Sequence, residues 1–196
     1  MNFAFFASHN GSSAHGITDA CLAGELMASP TLLITNNENA KALEWAENKG
    51  VKTFIINQNT HPDTDLHDDV IADKLRDEKI TFVICSGYMK LIGSKTIQQV
   101  DGKILNIHPS LLPHYGGKGM YGSAVHKAVK NNNESETGIT IHTINENYDE
   151  GNIIAQKKIP LTPEESAQDI EDKVKALEAP FYIETLQKIQ KGQISL

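Results

Sequence analysis

Asn106 and His108 stand two residues apart in the segment Ile104-Leu105-Asn106-Ile107-His108-Pro109-Ser110. In a strand, alternation puts Ile104, Asn106 and His108 on one face and Leu105 and Ile107 on the other. The amide and the imidazole then lie side by side, roughly 7 Å apart along the chain. Pro109 ends the pairing just beyond them, so they occupy the strand's carboxyl end, where open parallel sheets bind their ligands. Each residue alone reads as a buried polar group hydrogen-bonded to loop backbone; the pair at this place reads as a site. An amide N–H and an imidazolium N–H aimed at one point stabilise an oxyanion developing on a carbonyl under attack, the chemistry of acyl transfer. Asp149, within Asn147-Tyr148-Asp149-Glu150-Gly151, is the acid expected to orient the imidazole. A carboxylate beside a histidine fixes its tautomer and raises its pKa. By itself Asp149 would be a turn residue.

A second candidate is the turn Asn10-Gly11-Ser12-Ser13, between an apolar run and a helical pattern. Such a turn aims free backbone N–H groups at an anion. The stretch from Gly11 to Thr18 nearly spells a P-loop, GxxxxGK[ST], but Ile17 stands where the lysine must be. A single phosphate is therefore the better ligand than a triphosphate. Read without function, the same residues are a tight turn with Ser12 and Ser13 as helix caps. His61, Asp63, Asp65, His67, Asp68 and Asp69 resemble a metal cluster in composition, yet acids are favoured at a helix start by its dipole, and a solvated helix N-terminus is expected there. His142 reads as a strand histidine packed near the site and His126 as a helix-face residue. His9, His15 and His114 read as rim residues of the pockets.

These groups must be positioned by alternating strands and helices. Asn2 to Ala7 reads as a strand, followed by a helix on which Ile17, Cys21, Leu22 and Leu26 recur. Strands are expected at Thr31 to Thr35, Thr53 to Ile56, Thr81 to Cys85 and Lys103 to Ile107. Helices are expected at Glu38 to Lys49, Asp65 to Glu78 and Ser94 to Val100. This order predicts an α/β fold: a doubly wound, mostly parallel, Rossmann-like sheet. Gly138 to Ile144 and Asn152 to Ile159 are strands joined by a short loop, which predicts an antiparallel edge. A long C-terminal helix is expected to start with Thr162 as N-cap, Pro163 at its first position and Glu165 completing a capping box. Its buried stripe would be Ile170, Val174, Leu177 and Phe181, with a kink at Pro180 and an end at Gly192.

The 196 residues suffice for one domain without support from a metal or disulfide, since a chain of this length buries roughly 70% of its unfolded surface. Eighteen Lys and Arg against 25 Asp and Glu give a formal charge of −7 with no basic cluster, which argues against a nucleic acid partner. Cys21 and Cys85 have neither metal-ligand nor CxxC spacing and are expected to be reduced and buried. The N-terminal apolar run lacks a basic flank and a cleavage-like site, and no segment approaches the ~18 apolar residues of a membrane span. A cytoplasmic protein without membrane contact is expected.

Taken as whole motifs, the sequence resembles the formyltetrahydrofolate-dependent formyltransferase family. The resemblance is carried by Asn106-Ile107-His108-Pro109-Ser110-Leu111-Leu112-Pro113, then Thr137-Gly138, then Asp149-Glu150-Gly151-Asn152-Ile153-Ile154, and extends from Phe3 to about Ile189. It implies that Asn106, His108 and Asp149 form the catalytic group. It places phosphate binding on Asn10, Gly11, Ser12 and Ser13, and the ribose-holding acid of the last helix on Glu178. It lines the folate pocket with Met89, Lys90, Leu91 and Ile92, with Asn106 and Asp149 also facing it. A nucleotide-phosphate half of about 1–100 and a folate and catalytic half of about 101–196 would share one domain.

The implied activity is transfer of a formyl group from 10-formyltetrahydrofolate, the co-substrate, to the amine of glycinamide ribonucleotide, a purine-building step that uses no metal. The implied partners are these small molecules, and the implied assembly is a monomer or homodimer. Related folate enzymes hydrolyse the formyl group or deliver it to initiator tRNA. The former type carries an additional N-terminal domain and the latter a basic C-terminal one, and neither is expected here. A non-catalytic folate or nucleotide binder is a third reading. The sequence departs from the family pattern where Tyr115-Gly116-Gly117-Lys118-Gly119-Met120-Tyr121-Gly122 replaces a histidine-bearing loop. Lys90 stands for an arginine, keeping the charge but losing the planar fork, and His9-Asn10-Gly11 stands for Gly-x-Gly.

Overall fold

The structure is a computed structural model describing residues 2–196. Five strands come first, β1 (Asn2–Phe6), β2 (Ser29–Thr35), β3 (Lys52–Ile55), β4 (Phe82–Cys85) and β5 (Ile104–His108). Between them lie α1 (Ser12–Leu22), α2 (Lys41–Asn48), α3 (His67–Asp77) and α4 (Ser94–Gln99), with a short 3₁₀ turn at Thr64–Leu66. Then follow α5 (Ser123–Asn131), β6 (Glu136–Thr143), β7 (Ile153–Pro160) and α6 (Ala167–Gln190). The strands form one sheet in the order β3-β2-β1-β4-β5-β6-β7. Pairing is parallel from β3 through β5 and antiparallel from β5 through β7. The α/β, doubly wound reading with an antiparallel edge is what the chain adopts.

Both faces of the sheet are covered, which is why the central strands are apolar almost without interruption. Phe3, Phe5, Leu33, Ile84 and Leu105 point into one layer with α1, α2, α5 and α6. Ala4, Phe6, Ile34, Val83 and Ile104 point into the other with α3 and α4. Chain order reverses between β1 and β4, so the turns after these two strands open a crevice at the carboxyl edge. Ser8 bridges them, its hydroxyl accepting from the Met89 N–H (2.8 Å) and donating to Asn36 Oδ1 (2.5 Å).

Several expectations are corrected locally. Leu22 is 70% exposed and Leu26 lies beyond the end of α1, so the buried face of that helix is made by Ala14, Ile17 and Ala20. Cys85 is buried but Cys21 only partly so, and both are free. The last helix starts four residues later than its Thr-Pro signal. Ser166 is the N-cap and Asp169 completes the capping box, while Thr162 and Glu165 close a separate turn before it. Two consecutive S/T-x-x-acid signals compete there, and the second one leads directly into the apolar stripe. Of that stripe Ile170, Val174 and Phe181 are buried and Leu177 half-buried. The helix continues through the exposed Pro180 and closes at Gly192, whose φ of 67° lets the Gln193 N–H reach the Lys188 carbonyl. The acidic segment 63–69 is mostly solvated, but Asp68 reaches across to cap α4, accepting from the Lys95 and Thr96 N–H groups at 2.9 and 3.0 Å. No helix of the described residues is long and apolar enough to cross a membrane.

Candidate active site

β5 places Asn106 and His108 as the alternation requires: Ile104 packs into one layer, Leu105 and Ile107 into the other. The antiparallel register with β6 sets Asn106 directly opposite His142 and His108 opposite Thr140. A register shift between β6 and β7 falls at Ile141/His142, a bulge beside the site that re-aims the histidine. Asn106 Nδ2 lies 3.1 Å from His142 Nε2, and His142 Nδ1 lies 2.8 Å from the Thr143 carbonyl. A carbonyl can only accept, so Nδ1 carries the proton and Nε2 of the neutral ring accepts one amide N–H of Asn106. Burial pushes the His142 pKa below its ordinary value, which keeps the ring in that neutral form. The second N–H of Asn106 remains to serve a substrate.

Asp149 joins these groups. Its Oδ1 is 3.6 Å from His142 Nε2, and its Oδ2 is 3.5 Å from His108 Nδ1 and 2.9 Å from the Gly117 N–H, which donates to it. His108 is buried, and its Nε2 donates to the Tyr115 carbonyl at 2.7 Å. At 3.5 Å the His108–Asp149 contact is longer than a formed hydrogen bond, so a substrate oxygen can still be taken at Nδ1. The loop that delivers Asp149 is tightly folded. Asp149 itself has φ 58°, and a Cβ on Gly151 would come within 1.7 Å of the Thr143 carbonyl oxygen, so only glycine fits there.

The phosphate turn is built differently. Gly11 is the N-cap of α1 at φ 63°, a conformation that suits glycine, and contributes no side-chain cap. The Ala14 N–H is engaged by Ser86 Oγ at 3.2 Å and the His15 N–H by the Gly11 carbonyl at 3.2 Å, while the Ser12 and Ser13 N–H groups have no hydrogen-bond partner among the described residues. Glu178 of α6 comes up beside this turn, 3.4 Å from Ser13 Oγ. Burial pushes its carboxyl up to about 7 from 4.5, against the pull of Lys175 and the Ser13 hydroxyl. In the 89–92 segment Met89 is 40% and Leu91 51% exposed, Lys90 is exposed, and Ile92 is buried in the layer beneath.

The family model described as formyl transferase matches residues 1–186. The chain belongs to the formyl transferase family. A phosphoribosylglycinamide formyltransferase of Bacillus subtilis is 34% identical over 95% of this chain and 93% of its own length. The chloroplastic enzyme of that name from Vigna unguiculata is 35% identical over 97% of this chain, which spans 61% of that relative. Its Arabidopsis thaliana counterpart is likewise spanned to 66%. Among solved structures, the Bacillus halodurans phosphoribosylglycinamide formyltransferase superposes with a TM-score of 0.88 at 32% identity, covering 96% of this chain and 95% of that one.

In this member of the formyl transferase family, Asn106, His108 and Asp149 come together, as do Ser13 and Glu178. Sequence alternation places His142 only near the site, whereas in the structure its Nε2 accepts from Asn106 and lies 3.6 Å from Asp149 Oδ1. Its position in alternation with Thr140 on a strand antiparallel to β5 was the available signal. The family resemblance left the loop from Tyr115 to Gly122 without assigned contacts. In the structure its first residues hold both His108 and Asp149. Among the described residues no group of three or more metal-ligating side chains is assembled.

Proposed function

We propose that the protein transfers a formyl group from 10-formyltetrahydrofolate to the primary amine of glycinamide ribonucleotide, giving formylglycinamide ribonucleotide and tetrahydrofolate in purine biosynthesis. The observation that carries this reading is the Asn106–His142–Asp149–His108 cluster at the carboxyl end of β5. It lies in a chain 34% identical to a relative bearing that enzyme's name over nearly its full length.

The chemistry follows from the residues. The free N–H of Asn106 and Nδ1–H of protonated His108 donate to the formyl oxygen as attack by the amine makes it an oxyanion. Asp149 orients His108 and, directly or through water, takes the proton lost by the attacking nitrogen, and that proton passes to the folate nitrogen as its bond to the formyl carbon breaks. The turn Asn10 to Ser13 holds the phosphate and Glu178 the ribose, so the amine is presented rather than merely admitted. Exposed Met89 and Leu91 offer apolar surface to the folate, with Lys90 for its carboxylates, and Ile92 supports the segment from below. Holding both molecules in attack geometry contributes ~7 kcal/mol or more. In this reading residues of about 1–100 hold the nucleotide phosphate and those of about 101–196 do the chemistry, within one domain. The free thiols support a reducing compartment such as the cytoplasm, while the two plant relatives are chloroplastic.

The deciding experiment incubates pure protein with 10-formyltetrahydrofolate, with and without glycinamide ribonucleotide. Negligible turnover alone and one-to-one formation of formylated amide and tetrahydrofolate with the amine is the expected result. Free formate released equally in both incubations would make the protein a hydrolase, and no consumption in either would make it a binder.

A further inference from the structure

The carbonyl that holds His108 belongs to a residue whose own geometry is unusual. Tyr115 has φ 57°, a left-handed conformation that costs a bulky side chain energy and that the loop would not adopt unaided. Its side chain is tied at the far end. The phenol donates to Glu134 Oε1 at 2.6 Å and accepts from Asn132 Nδ2 at 2.7 Å. Both partners belong to the C-terminal cap of α5, where the Asn132 N–H is bonded to the Ala128 carbonyl and the Glu134 N–H to that of Val129. Tyr115 lines a cleft with Leu111, Val129 and Thr137 and packs against the core, so a phenylalanine in its place keeps that packing. Two residues further on, the Gly117 N–H holds Asp149. One short segment therefore sets both partners of the ion contact, and the Tyr115 phenol is the side chain that ties that segment to the end of α5.

We infer that Tyr115 is a positioning residue for the reaction: clamped by Glu134 and Asn132 at the end of α5, its phenol fixes the backbone carbonyl that holds His108. The inference rests on the catalytic role proposed for His108. The clamp acts on the rate rather than on substrate affinity, because the carbonyl restrains the imidazole while the phosphate turn and the 89–92 segment are left untouched. Misplacing a reacting group by an ångström costs up to about a hundredfold.

Steady-state kinetics of Tyr115→Phe, Glu134→Ala, Glu134→Gln and Tyr115→Phe/Glu134→Ala, beside His108→Ala, test it. We expect Tyr115→Phe to lower kcat about tenfold with KM for both substrates within about twofold, and the ¹⁵N resonance of His108 Nε2 to move as its carbonyl partner is released. Glu134→Ala should match it, the double variant should be no worse than either single one, and Glu134→Gln should recover most of kcat, because an amide oxygen still accepts from the phenol. If His108→Ala abolishes turnover while Tyr115→Phe keeps wild-type kcat and an unmoved His108 resonance, the clamp is refuted. Glu134→Gln as slow as Glu134→Ala refutes it as well. Should Tyr115→Phe fail to fold, the two Glu134 variants decide by the same criteria. Wild-type turnover in His108→Ala would instead overturn the proposed site itself.

Discussion

Asn106, His108 and Asp149 interact with a substrate most strongly when charge has developed on it, so their removal should be felt in turnover before binding. Asn106→Ala, His108→Ala and Asp149→Asn are each expected to lower kcat by ~100-fold or more while the protein stays folded, as kinetics and circular dichroism would show. Near-wild-type turnover in any two of them would sink the assignment. These residue types and their two-residue spacing were legible in the sequence because strand alternation is a local rule. The contribution of His142 was not, since it depends on the register of β5 against β6, and register is fixed by pairing across 36 positions of chain.

At the scale of elements, the start of α6 shows two local signals in competition. Thr162 and Glu165 satisfy each other in a turn, whereas Ser166 accepts from the Asp169 N–H and Asp169 returns a bond to the Ser166 N–H. The cap that wins is the one whose helix delivers Ile170, Val174 and Phe181 to the core. Ser166→Ala is therefore expected to lower Tm by ~2–4 °C and Thr162→Ala by clearly less, in parallel thermal melts. Equal losses would mean that both turns contribute alike to the helix start. The same dependence on tertiary context explains α1, where Leu22 fits the helical spacing but emerges beyond the layer that buries Ala14 and Ile17.

Across the whole molecule, three buried or half-buried histidines and Glu178 pull stability in opposite directions with pH. Burial lowers the pKa of His15, His126 and His142 below 6.5. Their neutral forms suit the fold, so their contribution is complete above about 6.5 and is lost as pH falls through the lowered values. Glu178 is the reverse case. Its folded value of about 7 exceeds the ordinary 4.5, so its contribution is present below 4.5 and is lost as pH rises through about 7. Glu178→Gln removes that titration. Relative to this variant the wild type should lose ~1–3 kcal/mol of unfolding free energy between pH 5 and pH 8, measured by urea unfolding at both. A difference that does not change with pH would show Glu178 to be ionised throughout.

The sequence by itself determined the alternation of strands and helices, the antiparallel edge, and the placing of Asn106 and His108 on one face at a strand end. Each of these rests on periodicities and turn chemistry that act over a few residues. It also carried the motif order from Asn106 to Ile154 that marks the family. Only the tertiary structure decided that His142 accepts from Asn106 beside Asp149, that Asp68 caps a helix not its own, and that Tyr115 ties His108 to the end of α5. Those contacts join residues 7 to 36 positions apart, and which side chains meet is set by strand register and loop closure that the packed core alone selects.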